Sequence, residues 1–596
     1  IIDKFGRLGS RKGWDLKTDT VKRTSSDTMI TGTVTVTADV SAASTTIGLT
    51  TAADSTLGLD ANDKISFGTD PTLYTIATGA HNISAGTTGN IVLTTGVARP
   101  LVAGEPINVA NILGMHHFID FTGAKTTISW SATQFYTGYT TLTALDVTGA
   151  SAQSLSTGNW MAATLNDLAY FFQEGYLPLV YDPVAGTLKP MQDLDFTGAI
   201  VSGDGAGESD IPTQSANITT NIAAIPQGGI VMSSFGRLWV AKIGGSAGNK
   251  TKVYFSDVND GRDWTQGTAG VLDIASVFPK GTDQITGLAT QNGALVILCR
   301  NSIVIYDDQV NNFNDTITVT NLTLADIIYG VGCIAAKTIV NTGEDVLFLD
   351  STGVRSLGRT IQEKSRPMRD VSMNVRDDLL DDVLETKNTT NVTIDEITAI
   401  YSPIDGFYLL SFPTRKKAYC FDTKGILEDG SFRVTTWSDV PHISYAFDPL
   451  SDVINIVGAA GIAEYDGYTD YGLPYPMTYY TNHFDMGDAS VTKILKKVGL
   501  VLLGSNAQSF NIKVSTDYQS RFETYPHLGS ASAFISEYGI SEYNIAEYSS
   551  GIALENIALP VGGSGTVLQV GFETIISGQI LSLQKLNILT KIGRML

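Results

Sequence analysis

A short phrase recurs along the middle of the chain and sets the terms for its fold. Val180-Tyr-Asp182, Ile305-Tyr-Asp307, Cys420-Phe-Asp422 and Glu464-Tyr-Asp466 each close a strand-like run on an aromatic residue and an aspartate. Turn-forming residues follow. A unit that repeats in this way, with a strand ending on the same two side chains, is what the blades of a β-propeller produce. The spacing between copies is irregular and no WD-type signature is present, so the expectation is a degenerate propeller.

One blade can be spelled out in more detail. Val253-Tyr-Phe255 alternates as a strand, and Ser256, Asp257, Asn259, Asp260 and Gly261 then supply a tight turn. Asn, Asp and Gly suit such turns because they tolerate positive φ and their short side chains bond their own backbone. Gly261 is expected at positive φ. Trp264 follows as a large apolar plug that pins the turn to the blade. Gly236-Arg-Leu-Trp-Val-Ala241 reads as the preceding strand.

Composition agrees with an all-β chain. Charged residues make up only 17% of 596, and 59 glycines point to strands and turns over helices. This length exceeds a single core, and shifts in composition divide it into four segments. Residues 1–30 form a lead-in containing Arg7, Arg11, Lys12, Gly13 and Trp14. Residues 31–111 are rich in Thr, Ala and Gly, alternate as short strands such as Lys64-Ile-Ser-Phe67, and read as an inserted small β-domain, a barrel or sandwich. Residues 112–475 carry the aromatic strands of the propeller, and residues 476–596 read as a C-terminal β-domain. One short amphipathic helix stands out, from Ser372 to about Lys387. Val375, Leu379, Leu380, Val383 and Leu384 form its apolar stripe, and Asp377, Asp378, Asp381 and Asp382 its polar face.

A basic run precedes this helix. Arg355, Arg359, Arg366 and Arg369 are candidates for a contact with another subunit or an adaptor, because the guanidinium fork pairs carboxylates bidentately. The pseudo-repeat Ser536-Glu-Tyr, Ser541-Glu-Tyr and Ala546-Glu-Tyr548 reads as a contact loop.

Net charge is −21. An acidic chain of this kind is not a general nucleic-acid binder, since phosphate binding needs clustered Lys and Arg. Cys299, Cys333 and Cys420 lie far apart in apolar runs and read as free buried thiols. No run reaches the ~18 apolar residues of a membrane helix. The start carries neither an apolar signal segment nor a Met, so residues upstream of Ile1 are expected in the gene product.

No chemistry is singled out. Gly245-Ser-Ala-Gly-Asn-Lys-Thr251 fails the P-loop pattern because Gly and Lys are not adjacent. His116-His117 lacks a third ligand nearby and reads as a strand or turn pair. Ser256, Asp260, Gly261 and Trp264 approach the sialidase Asp box with one residue too many, and that box is structural. No catalytic, cofactor-binding or metal-binding set emerges, and the expectation is a non-enzyme without a cofactor.

Tyr254-Phe-Ser-Asp-Val-Asn-Asp-Gly-Arg-Asp-Trp264 resembles the blade phrase of tail nozzle proteins (tail tubular protein B) of short-tailed bacteriophages, the podoviruses. Gly287-Leu-Ala-Thr-Gln-Asn-Gly-Ala-Leu-Val-Ile-Leu298 with Ser302-Ile-Val-Ile-Tyr306, and Asp345-Val-Leu-Phe-Leu-Asp-Ser-Thr-Gly-Val-Arg355, are similar to it as well. So are Arg11-Lys-Gly13 and Lys591-Ile-Gly-Arg594. The likeness covers most of 112–475 and both ends, and leaves out 31–111. It implies a structural virion protein that forms a hexamer at the distal tip of the tail, facing the host envelope. Such a homo-oligomer lines the DNA ejection channel with transient contact to phage DNA, and docks the adaptor ring and tail fibre proteins. Its place is the virion, and the host bacterial cytoplasm during assembly. The rival expectation is a virion-borne receptor-binding or glycan-degrading β-propeller.

Overall fold

The structure is a computed structural model, and it describes residues 8–24, 26–68, 72–77, 79–193, 225–245, 249–264, 268–278, 283–308, 322–364, 370–389, 394–438, 440, 443–505, 509–528 and 552–595. The chain is mainly β and divides into two compact units, one formed by residues 17–463 and the other by 1–16 with 464–596. These divisions fall elsewhere than the boundaries drawn from composition at 30, 111 and 475.

Among its described residues the larger unit contains seven antiparallel meanders in sequence order. Blade 1 spans residues 114–145, blade 2 161–190, blade 3 228–273, blade 4 285–329, blade 5 340–356 and blade 6 398–438; blade 7 begins at 444. First strands of successive blades lie side by side along much of the series. The first strand of blade 7, Ser444–Asp448, returns beside that of blade 1, Gly114–Ile119. That is the closed, irregular propeller expected from the recurring phrase. In blades 2, 5 and 6 an inner strand, Leu168–Phe172, Val346–Asp350 or Phe407–Phe412, is buried along its whole length. Both of its faces meet neighbouring blades, so these strands read as continuous apolar runs.

Closure has a polar component. Lys17 and Thr18 donate their backbone N–H groups to Ile462 O, tying the start of the unit to its end. Asn455 on blade 7 donates to His117 Nε2 on blade 1 at 3.0 Å and accepts from the Tyr139 hydroxyl. Lys125 pairs with Asp448 between the same two blades.

The inserted small β-domain, expected over residues 31–111, also takes in the strands Thr20–Lys22 and Thr28–Thr31. It is continuous with blade 1 and not a free-standing module. Thr20–Lys22 pairs in parallel with Thr141–Leu145 and extends blade 1 into an eight-stranded sheet. Its core of Val34, Ile47, Leu49, Phe67 and Ile91 also takes in Tyr136 and Leu142 of blade 1 and Val457 and Ile462 of blade 7. A three-residue strand with no strong pattern of its own carries this junction, and composition does not reveal it.

Among the described residues, blade 5 has three strands and then runs into two α-helices where blades 1–4 and 6 have a fourth strand. The first, Leu357–Glu363, is capped by Ser356, whose Oγ accepts from Arg359 N. The second, Arg376–Asn388, is the helix expected over 372–387. Leu379 and Val383 bury against blades 5 and 6, whereas Leu384 is exposed. Asp382, assigned to the polar face, is instead buried and accepts from Tyr419 Oη and Lys417 Nζ.

The smaller unit packs two antiparallel sheets. One is ordered Leu8–Gly9, Leu581–Met595, Val491–Ser505, Ile552–Pro560; the other Tyr475–Tyr480, Leu568–Ile576, Phe510–Thr516, Glu523–His527. Val498, Leu500, Phe510, Ile512 and Phe572 fill the space between them. Residues 8–16 of the lead-in belong here, whereas its residues 17–30 do not. Arg11 donates to Asp470 and its guanidinium lies 4.1 Å from the Tyr475 ring centroid. A Cβ on Gly13 would meet Thr469 O at 2.0 Å, which requires glycine in the Arg11-Lys-Gly13 phrase. No helix among the described residues is long and apolar enough to cross a membrane.

Candidate functional site

The turn at 256–264 is built as a structural lock. Ser256 is fully buried; its Oγ accepts from Leu238 N at 3.0 Å and donates to Asp257 O. Asp257 N donates to Asp263 O, and Asp257 Oδ1 accepts from both Thr268 N and Thr268 Oγ1. Those bonds hold the Asp257 carboxyl below the usual carboxylate range against the opposing effect of partial burial. Asp260 Oδ1 accepts from Arg262 N and Nε. Asn259 takes the left-handed conformation at φ +55 and donates its N–H to Gly236 O at 2.7 Å.

Gly261 is not at positive φ, contrary to expectation. Glycine is needed for space: a Cβ there would lie 2.6 Å from Leu238 Cδ1 and 2.7 Å from Tyr170 Cζ. Trp264 is buried as expected. It lies edge-on to Phe172, with centroids 6.2 Å apart, and donates Nε1–H to Met191 Sδ. Its partners belong to blade 2 and its neighbourhood, so the plug fastens blade 3 onto blade 2.

The arginine segment is divided. Arg355 is 3% exposed and lies between Asp350 and Asp370, donating also to Thr352 Oγ1 at 2.8 Å. Two carboxylates within the chain occupy it, so it is not a subunit contact. Arg359 is half-buried and donates to Gly430 O at 2.8 Å. Arg366 and Arg369 lie outside the described residues, as does the 536–548 pseudo-repeat. Cys299, Cys333 and Cys420 are buried free thiols, and burial pushes each thiol up to about 12. His116 and His117 sit on the first strand of blade 1, hydrogen-bonded to Thr164 and Thr127.

A site with more varied chemistry lies where blades 2 and 3 meet the short helical segments Ala336–Thr338 and Ile394–Glu396 that lead into blades 5 and 6. A cavity of about 340 Å³ is lined by Asn159, Gln173, Glu174, Tyr176, Lys242, Lys337 and Asp395, among others. Lys242 stands at φ +58, an uncommon conformation for a long side chain. Its ammonium reaches Asp395 at 2.6 Å and Glu174 at 3.6 Å. Lys250 also pairs with Glu174. Gly229 and Gly244 leave room for Glu174, since a Cβ on Gly244 would lie 2.5 Å from its Cγ. Lys337 donates to Asn159 Oδ1 at 3.0 Å. Burial holds its ammonium below the ordinary lysine range, Asp395 and Glu396 oppose that shift, and Lys242 adds to it. Sequence reasoning missed this cluster because its members are dispersed over blades 2 and 3 and the segments that lead into blades 2, 5 and 6, with no local spacing.

No family model matches the sequence. No curated protein matches it either. Among solved structures the chain is similar to PorZ, an essential bacterial surface component of the type-IX secretion system of Porphyromonas gingivalis, at 12% identity and a TM-score of 0.29. That likeness covers 59% of this chain and 37% of PorZ.

Proposed function

We propose that this chain is a structural protein of a short-tailed phage virion, a tail nozzle subunit that assembles into a hexamer, borders the DNA ejection channel and docks the adaptor ring and fibres. One observation carries the reading: the three stretches that resemble nozzle proteins fall on three successive blades. Residues 253–264 lie on blade 3, 287–306 on blade 4 and 345–355 on blade 5. A likeness shared by consecutive units of one architecture is harder to obtain by chance than a single phrase. The turn in the first stretch acts as a blade lock, which fits a scaffold role over a catalytic one. On this reading the protein is not an enzyme, and its place is the distal tail.

Negative-stain electron microscopy of virions, and of the isolated protein with its adaptor, tests the proposal. A six-fold ring with a central hole at the tail tip is expected. A trimeric or monomeric spike, or turnover of host polysaccharide lost on replacing one carboxylate, refutes it.

A further inference from the structure

We infer that the cavity where blades 2 and 3 meet the segments leading into blades 5 and 6 binds a small carboxylate that also carries hydroxyl or amine donors. Two independent features point to it. The first is Lys337. Its ammonium has three donor positions, and the neutral Asn159 amide accepts from it. Lys242, by contrast, is directly paired with Asp395 and Glu174. A carboxylate entering the cavity would meet Lys337 as a charge-assisted donor in a partly desolvated setting, where such bonds are strongest.

The second feature is Gln173, which is 3% exposed and lines the same cavity. Its Nε2 donates to Ser156 O and Thr157 Oγ1, each at 3.0 Å. The backbone carbonyl can only accept, so the amide orientation is fixed and Oε1 is the remaining end. That oxygen is buried without a hydrogen-bond partner. A buried acceptor of this kind is costly unless something donates to it.

An anion alone would answer Lys337 and leave Gln173 orphaned, and would face Glu174 and Asp395. A ligand with a carboxylate at one end and O–H or N–H donors along the rest answers all four side chains. Its donors suit Gln173 Oε1 and the two carboxylates. Tyr176 also lines the cavity, with its hydroxyl already engaged by Ser156. About 340 Å³ lies at the small end of ligand sites and suits one sugar ring or one amino acid. Sugar acids and amino acids share the required chemistry. The inference stands on these side chains and does not depend on the nozzle reading.

Isothermal titration of the full chain with glucuronate, serine, glucose and acetate tests it. Glucuronate or serine is expected to bind, and whichever does so identifies the source. Glucose and acetate should bind at least ten-fold more weakly. Lys337→Met and Gln173→Leu should each weaken binding at least ten-fold. On the wild-type protein, the bound ligand should slow acetylation of Lys337 by acetic anhydride, read by mass spectrometry, so the inference remains testable even if a variant folds poorly. Acetate binding as tightly as glucuronate and serine would mean anion attraction only and would overturn the inference. So would equal binding of glucose, absence of binding, or undiminished binding by a folded Lys337→Met variant.

Discussion

Acid should loosen the contacts of blade 1 with blade 2, made by His116, and with blade 7, made by His117, before it disturbs the carboxylates there. His116 and His117 occupy adjacent positions on the strand of blade 1 that meets blade 7, and burial is the main force that lowers each imidazole to about 4 from an ordinary 6.5. For His116 the neighbouring His117 adds to the lowering; for His117, Asp448 opposes it and Lys125 reinforces it. His117 Nε2 accepts from Asn455, which requires the neutral ring. Asp448 is itself held at about 2, mainly by Lys125 and Ser451 against the effect of burial, so it stays charged throughout the relevant range. The sign follows from depressed values in the folded state. Above pH 6.5 both states hold neutral rings and nothing is lost; below it the unfolded chain gains protons first, and stability falls until pH passes about 4. At pH 4.5 this amounts to about 2.5 kcal/mol for one histidine, and to less than twice that for a coupled pair. Urea unfolding at pH 7.5 and 4.5, at constant ionic strength, should show this loss in the wild-type chain. His116→Gln/His117→Gln should lose about 2–4 kcal/mol less over the same interval. Titration of labelled histidines should place two rings near pH 4. Equal acid sensitivity of the two proteins, or two rings titrating near 6.5, would refute the account.

Three further outcomes follow from the blade packing. Trp264→Ala should destabilise the larger unit by about 3–5 kcal/mol, because it empties the contact with Phe172 and Met191; a denaturation midpoint at the wild-type value would contradict the plug. Gly261→Ala should cost about 1–3 kcal/mol by overpacking against Tyr170 and Leu238, and a neutral result would mean that those side chains retreat freely. Arg355→Met leaves Asp350 and Asp370 facing each other and should cost about 3–5 kcal/mol; wild-type stability in chemical denaturation would show that the arginine is dispensable inside the chain.

What the sequence disclosed and what it hid divide along the range of the interactions. The turn at 256–264 was legible because Ser256, Asp257 and Asn259 act on backbone only a few residues away or on the adjacent strand. Trp264 was legible as a plug, but its socket was not, since Phe172 belongs to blade 2. Gly261 shows the same limit: a turn glycine suggests positive φ, and the actual demand comes from Tyr170 across a blade boundary. Arg355 misled because a run of basic residues suggests surface, whereas Asp370, which helps bury it, lies beyond the run. Asp382 misled in the same way, because Tyr419 and Lys417 approach it from blade 6. Lys242, Lys337, Glu174 and Asp395 form a site only once the ring has closed.

The charged cavity also bears on where DNA could pass in the proposed nozzle. Lys242 and Asp395 are joined at 2.6 Å beside it, and the open space is about 340 Å³. A duplex whose major groove alone is about 12 Å wide could not thread such a space. On the proposed reading the channel therefore has to be formed between copies of the chain. Charge then constrains which residues face it. Residues 1–16 and 464–596 together hold 14 Asp and Glu against 12 Lys and Arg, so nearly all of the net −21 belongs to residues 17–463. Lysines and arginines facing DNA would each displace counterions and hold phosphate, whereas carboxylates would keep the duplex away from the wall within a Debye length of about 8 Å. A passage that lets DNA slide is thus best lined by acidic or neutral surface from residues 17–463, and a passage lined by the nearly neutral smaller unit would have to rely on the absence of clustered cations.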